Sequence, residues 1–567
     1  MKKIALYLSA MMLGAGALTG CIEVIDPQQD VITSDQAANT PGAFENFVSA
    51  TTATLAGQFL YYGSSNAYPY DFGYPALMIQ RDVMGQDMAI NSDASWYQTW
   101  YCCGTGLGPG YALCQMPWTI YYGWINDCNT VLGIAGNEPS DEHRTGAGIA
   151  HAMRAFYYMD LAQMFAPKTY LLDSQAETVP IVTEDKSVDL THNPRATNEV
   201  MWDFILSDLD KAEAYLADYK RSDVYTPDIS VVCGLKARAY LIMGRYADAV
   251  TYARKAYAGY SLLTEAQYTD RNTGFNTPSS NNSWMFATQF RSTDPCITLN
   301  DADSSWGSIM SIEIVPSVGG SEGGCGYASN YGVPMRIDRH LYETIPATDF
   351  RKRCFLDFAI DELESDEEVL AALAAYSDYP QSVYETAYVS SDAKEAGGIS
   401  LKFRLNGGDE GHNNQYVGFL QSIPLMRVEE MYLIEAEALG MQAGHESEGI
   451  AALTTFARSR DPQYIYGTHN EAYYNTSTSV FQNECWWQRR VEFWGEGIAT
   501  LDIKRLNKGI IRSYADTNHV ADYRWNVESV PQWMIYCIVQ TETNNNYDCT
   551  NNPTPLAPTQ DSPEYAF

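Results

Sequence analysis

Apolar residues recur at three- and four-residue spacing along much of the chain, as in helices that bury one face. Between residues 147 and 165, Ile149, Met153, Phe156, Tyr157, Leu161 and Met164 keep that spacing, and Pro167 stops the run. A second helix is predicted to open at Thr197 and to align Val200, Phe204, Ile205, Leu209, Ala212 and Leu216. Residues 231–257 place Ala237, Tyr240, Leu241, Tyr246, Ala249, Ala253 and Ala256 around a tight turn at Gly244 and Arg245. Alanines let two helices approach and tyrosines fill the groove between them, which is the pattern of a tetratricopeptide-like pair. Residues 427–439 and 449–458 predict a second pair.

From about residue 259 to 424 the pattern breaks, and Gly, Asn, Ser and Asp become frequent. Trp284 to Phe290 and Tyr416 to Leu420 read as extended, and one helix is expected from Glu362 to Tyr376. The expected fold is therefore mainly α and forms a single domain over 35–567. Its helical scaffold covers about 35–258 and 425–567, and a loop-rich insert covers about 259–424. Loops mounted on a rigid scaffold are the usual seat of binding.

The first residues follow another rule. Lys2 and Lys3 precede an apolar run from Ile4 to Leu13, too short to cross a hydrocarbon layer of roughly 30 Å. Small residues then lead to Leu18-Thr19-Gly20-Cys21, the pattern of a lipobox. Residues 1–20 thus read as a signal peptide and Cys21 as the lipidated residue, with 21–34 as tether. Two or three acyl chains, palmitate among them, hold a protein on a bilayer stably. No later segment approaches eighteen consecutive apolar residues.

Composition narrows the partners. Seventy acidic residues against 36 basic ones give a net charge of −34, a field that repels phosphate backbones and argues against nucleic acid. The 41 Tyr and 12 Trp are abundant, and each offers an apolar face with a polar edge. Setting Cys21 aside from the 12 cysteines leaves an odd number. Cys102, Cys103 and Cys114 cluster in one Gly-rich stretch, and Cys537 and Cys549 flank another. Bridges are plausible in an exported chain, but their pairing is not readable. No HExxH and no paired CxxC pattern points to zinc.

Several blocks, taken in order, resemble the SusD/RagB-like outer-membrane nutrient-binding lipoproteins. They are Trp118 through Asn129, Arg154 through Leu161, Val179 through Glu184, and Arg195 with the helix through Asp208, Leu209 and Ala212. The most recognisable is Arg427-Val428-Glu429-Glu430 through Glu437-Ala438, followed by Arg489 through Gly497 and by Leu501 through Arg505. Gln488 departs from the pattern, which often has an acidic residue there. The resemblance implies a lipoprotein on the outer membrane, facing the exterior. It implies capture of a nutrient, most often a glycan, and delivery to a SusC-like TonB-dependent transporter, with no chemistry and no cofactor. An oligopeptide ligand, or a lipid-anchored glycoside hydrolase, remains an alternative. Glu492 and Glu496 are expected to be scaffold ion-pair residues and not an acid/base pair, because neighbouring arginines would keep both ionised.

The candidate ligand patch is Asp93 to Tyr101, whose aromatics lack amphipathic order and precede a glycine-rich loop. Trp96, Trp100 and Tyr101 are expected to stack on sugar faces, with Trp306, Tyr327 and Tyr331 as a second wall. Arg81, Asp82 and Asn91 are expected to bond hydroxyls. For each aromatic the competing expectation is burial under a loop. The acidic field disfavours sulfated or uronic glycans, and a local basic pocket such as Arg336, Arg339, Arg351 and Arg353 keeps them as an alternative. Asn300 to Ser305 alternates oxygen ligands as a structural calcium loop would, but Gly307 and Glu313 sit one position late for an EF-hand, so the stretch reads as a solvated loop with a structural ion as the alternative.

Overall fold

In the computed structural model, helices start where side chains can accept the first free N–H groups. Ser140 caps the helix Asp141–Phe165, Thr197 caps Asn198–Tyr215, and Asp228 caps Ile229–Ile242. The structure describes residues 40 and 42–567, apart from 64, 66–67, 91–94, 103–104, 273–274, 314, 317–323, 331–332, 391–394, 557 and 559–561. The signal segment, Cys21 and the tether lie outside the described residues, as do Asn91, Asp93, Cys103 and Tyr331.

The principal helices are α1 (Ala43–Ala53), α2 (Tyr74–Val83), α3 (Ala112–Ala135), α4 (Asp141–Phe165), α5 (Asn198–Tyr215), α6 (Ile229–Ile242) and α7 (Tyr246–Tyr257). After the insert come α8 (Val428–Gly440), α9 (Glu446–Arg458), α10 (Val480–Glu492) and α11 (Ala499–Arg505). From α3 to α9 each helix packs against the next, and α8 stacks directly on α7 although the whole insert separates them in sequence. Tyr257 and Tyr432 seal that junction with parallel rings 4.5 Å apart, and Glu435 accepts from both Tyr257 (2.8 Å) and Arg254 (2.7 Å). Gly244 turns α6 into α7 at φ +70°, a conformation open to glycine at little cost. The structure is thus mainly helical with a tetratricopeptide-like stack, as the periodicity predicts.

Strands are short and occur in antiparallel pairs: β1 (Met88–Ile90) with β5 (Met335–Ile337), β2 (Trp284–Gln289) with β6 (Ser422–Arg427), β3 (Val315–Pro316) with β4 (Gly324–Cys325), and β7 (Ile510–Ile511) with β8 (Asn526–Val527). The β2–β6 pair joins the insert to the stack, because β6 runs straight into α8 at Arg427. One large apolar cluster runs through scaffold and insert alike, with a smaller one around Leu356, Leu373 and Leu401.

Three local expectations are corrected. Tyr416 to Leu420 is not extended: Asn414 accepts from the Tyr416 N–H and opens a short helix, Gln415–Gly418. The helix expected from Glu362 to Tyr376 is shorter, Asp366–Leu373, because Ser365 and Glu368 form a capping box at its start. Cys114, Cys537 and Cys549 form no bridge and carry free thiols, which burial pushes up to about 12, 11 and 11.

Candidate functional site

Trp96 is 39 % exposed and stands among tyrosines drawn from two other parts of the chain. Its ring centroid is 6.1 Å from both Tyr68 and Tyr70 and 5.8 Å from Tyr327. Tyr68 and Tyr70 lie nearly parallel at 5.4 Å, Tyr62 is 4.4 Å from Tyr68, and Tyr61 meets Tyr62 edge-on at 4.7 Å. Trp100 lies beneath, 5.3 Å from Tyr70 and with no exposure. Trp96 with the half-buried Tyr61, Tyr62 and Tyr68 forms a surface platform backed by the buried Tyr70 and Tyr327, and its apolar faces border phenol hydroxyls, the mixture that suits the C–H faces and hydroxyls of a sugar.

Two acidic side chains shape the platform from behind. Asp71 is buried and accepts from the backbone N–H groups of Tyr61 (3.1 Å) and Tyr62 (2.7 Å), fixing the turn that presents both rings. Burial pushes its carboxyl up to about 6. On the opposite side Asp303 accepts from the Gly326 N–H at 2.8 Å, and Ser308 accepts from the Tyr327 N–H at 2.8 Å. Burial pushes Asp303 up to about 6 as well. Asp303 thus braces the Tyr327 turn. Among the described residues no group of three or more His, Cys, Asp or Glu could hold a metal ion.

Of the residues singled out in the sequence, Trp96 is exposed, and Tyr327 is buried beside it with ring centroids 5.8 Å apart. The exposure expected of the others is corrected. Trp100, Tyr101 and Trp306 are fully buried. Tyr101 pairs with His519 through its hydroxyl (2.5 Å) and lies under Arg512, and Trp306 packs edge-on to Phe403 at 5.1 Å. Arg81 is buried and donates to Asp160 (2.8 Å), which also accepts from Tyr74 and Tyr121. Asp82 accepts from the Gly497 and Ala499 N–H groups inside the molecule. Tyr61, Tyr62, Tyr68 and Tyr70 were not singled out. Their signal is the density of tyrosines between residues 61 and 74, with Gly, Ser and Pro among them and no helical period.

The four candidate arginines form no common basic pocket. Arg351 is buried against Asp349 and Glu492, Arg336 pairs with Glu395, Arg339 with Glu343, and Arg353 with Glu265.

The acidic block around Glu492 and Glu496 is scaffold. Glu492 accepts from Arg427 (3.0 Å), Arg460 (3.1 Å) and Arg351 (3.2 Å), and Glu496 accepts from Arg427 (2.8 Å) and Lys402 (2.6 Å). Burial pushes the Glu492 carboxyl up, but Arg460, Arg427 and Arg351 outweigh it and hold the group well below the usual carboxylate range. A group so held is a poor proton donor at neutral pH. Glu430 turns away from Arg427 and binds Arg238 on α6, so it ties α8 to the stack.

Residues 74–241 match the family model described as starch-binding, associating with the outer membrane, and residues 376–554 match that of the SusD family. No curated protein matches the chain. Among solved structures, a SusD-like carbohydrate-binding protein from Bacteroides vulgatus is 21 % identical with a TM-score of 0.67, covering 90 % of this chain and 97 % of that one. A SusD superfamily protein from Bacteroides thetaiotaomicron is 17 % identical with a TM-score of 0.60, over 92 % and 100 %. Surface glycan-binding protein A from the same species, solved with laminarihexaose, is 17 % identical with a TM-score of 0.61, over 90 % and 99 %. The first match precedes the insert and the second runs from its last part to residue 554, both taking in blocks that build the helical stack and its buried ion pairs, and the chain belongs to the SusD/RagB-like family.

Proposed function

We propose that this protein binds a glycan at the cell surface and passes it to a SusC-like TonB-dependent transporter without transforming it. The exposed Trp96, edged by Tyr68, Tyr70 and Tyr327, carries the reading. The glycan-bound relative, surface glycan-binding protein A, supports it at the level of the fold. Lipidation at Cys21 would keep the platform near the outer membrane. Among the described residues no helix is long and apolar enough to cross a membrane, which accords with such an anchor. The carboxylates of the late block are committed to arginines and a lysine, which favours binding over hydrolysis.

A combined glycan and oligopeptide array with the mature chain, alongside Trp96→Ala, tests the reading. Selective glycan binding that the substitution reduces at least tenfold is the expected outcome. Binding confined to peptides, or release of reducing ends from a bound oligosaccharide, would overturn it.

A further inference from the structure

We infer that the aromatic platform selects uncharged glycans and turns away sulfated or uronate-bearing ones, an inference that rests on the glycan-binding reading above. Recognition of a sulfate or a uronate calls for guanidinium or ammonium donors, because a desolvated anion must be paired. The platform has the opposite provision. Asp71 lies directly behind Tyr61 and Tyr62, Asp303 behind the Tyr327 turn, and the exposed Asp301 beside Asp303 and Tyr416.

Among the described residues, the charged groups that act most strongly on Tyr61, Tyr62, Tyr70, Tyr97 and Asp303 are carboxylates, other phenols and a thiol. Among the same residues, no arginine or lysine stands with them, nor with the groups that act most strongly on Asp71. The arginines nearest to being a basic pocket are spent on Glu492, Asp349, Glu395, Glu343 and Glu265. The protein's net charge of −34 adds a field of the same sign, which salt screens over a Debye length of about 8 Å. What the platform does offer is neutral: ring faces, phenol hydroxyls and backbone groups. Those complement the hydroxyls and C–H faces of an uncharged sugar, and they leave an anionic substituent desolvated next to carboxylates.

The test uses the full-length chain in detergent micelles and matched pairs of oligosaccharides, each a neutral backbone and its sulfated form, drawn from β-glucan, α-glucan, galactan and mannan. For whichever neutral backbone binds, the sulfated partner is expected to bind at least tenfold more weakly. Asp301 is exposed, braces no part of the platform and sits at φ +53°, a conformation asparagine tolerates. The variant Asp301→Asn is therefore expected to fold. It should narrow the gap severalfold while leaving the neutral affinity unchanged, and raising salt from 20 to 500 mM should narrow it in the parent chain. Equal or tighter binding of the sulfated member, lost together with the neutral one in Trp96→Ala, overturns the inference and leaves glycan binding standing. No binding to any member overturns the glycan-binding reading itself, and this inference with it.

Discussion

Trp96 and Trp100 are four residues apart, one in the turn before and one inside the short helix Gln98–Tyr101, and they face opposite fates. The first is exposed among tyrosines and the second is fully buried below Tyr70. Replacing Trp100 by alanine is expected to cost about 3–5 kcal/mol of stability, through lost burial and the cavity left behind. Replacing Trp96 should cost little stability and remove glycan binding. Thermal unfolding and a titration on both variants separate the two roles, and equal stability losses in both would sink the distinction. From the sequence alone the two tryptophans look alike, since neither sits in a periodic segment that would point one inward. What decides between them is Tyr68 and Tyr70, brought in from another loop, and no local pattern carries that information. The same holds for Tyr101, whose buried partners His519 and Arg512 lie more than four hundred residues away.

At the scale of elements the reverse is true, because helix pairs are built from local rules. Periodicity, caps and the glycine turn at Gly244 made α4 through α9 readable, and the blocks around Arg427 and Arg489 marked where buried charges tie them together. The five residues from Tyr416 to Leu420 were not readable, being too few to show any period. The α8–α9 pair shows how closely such helices approach. A Cβ at Gly449 would collide with the backbone of Gly440 and lie 2.9 Å from the Ala436 oxygen, whereas one at the exposed Gly123 in α3 would meet nothing within 4 Å. Alanine favours a helix over glycine by about 1 kcal/mol. Gly123→Ala is therefore expected to stabilise the protein by up to that amount. Gly449→Ala should destabilise it by about 1–3 kcal/mol, because two backbones cannot yield as a side-chain tip can. Thermal unfolding of the two variants checks the opposite signs, and a gain in both would mean that α8 and α9 are less tightly apposed.

For the molecule as a whole, the buried charges set a stability profile that peaks on the acidic side of neutrality. Burial pushes Asp82 up to about 7 and Asp71 and Asp303 up to about 6, against the N–H groups that each accepts from. Between pH values of about 4 and 7 the folded chain thus binds protons that the unfolded chain has released, so stability rises as pH falls through that window. Easing of the repulsion within a chain of net charge −34 acts in the same direction. Glu492, Asp208 and Asp502 act the other way. Burial alone would raise them, but Arg460, Arg427 and Arg351, then Arg154 with His151, then Arg489 and Arg505 hold them below their ordinary values. Their contribution is complete above the unfolded value and is lost as pH falls below it. Urea unfolding from pH 3 to 9 is expected to show greatest stability near about pH 5. Asp82→Asn keeps an acceptor for the Gly497 N–H and should raise stability at pH 8 while flattening the limb between pH 5 and 8. Glu492→Gln leaves three buried guanidiniums short of a counter-charge, so it should cost about 3–5 kcal/mol at the optimum and flatten the acid limb. A maximum at pH 7 to 8 that Asp82→Asn does not move would show that Asp82 is ionised at no cost where it lies. The lowered carboxylates would then govern the profile alone.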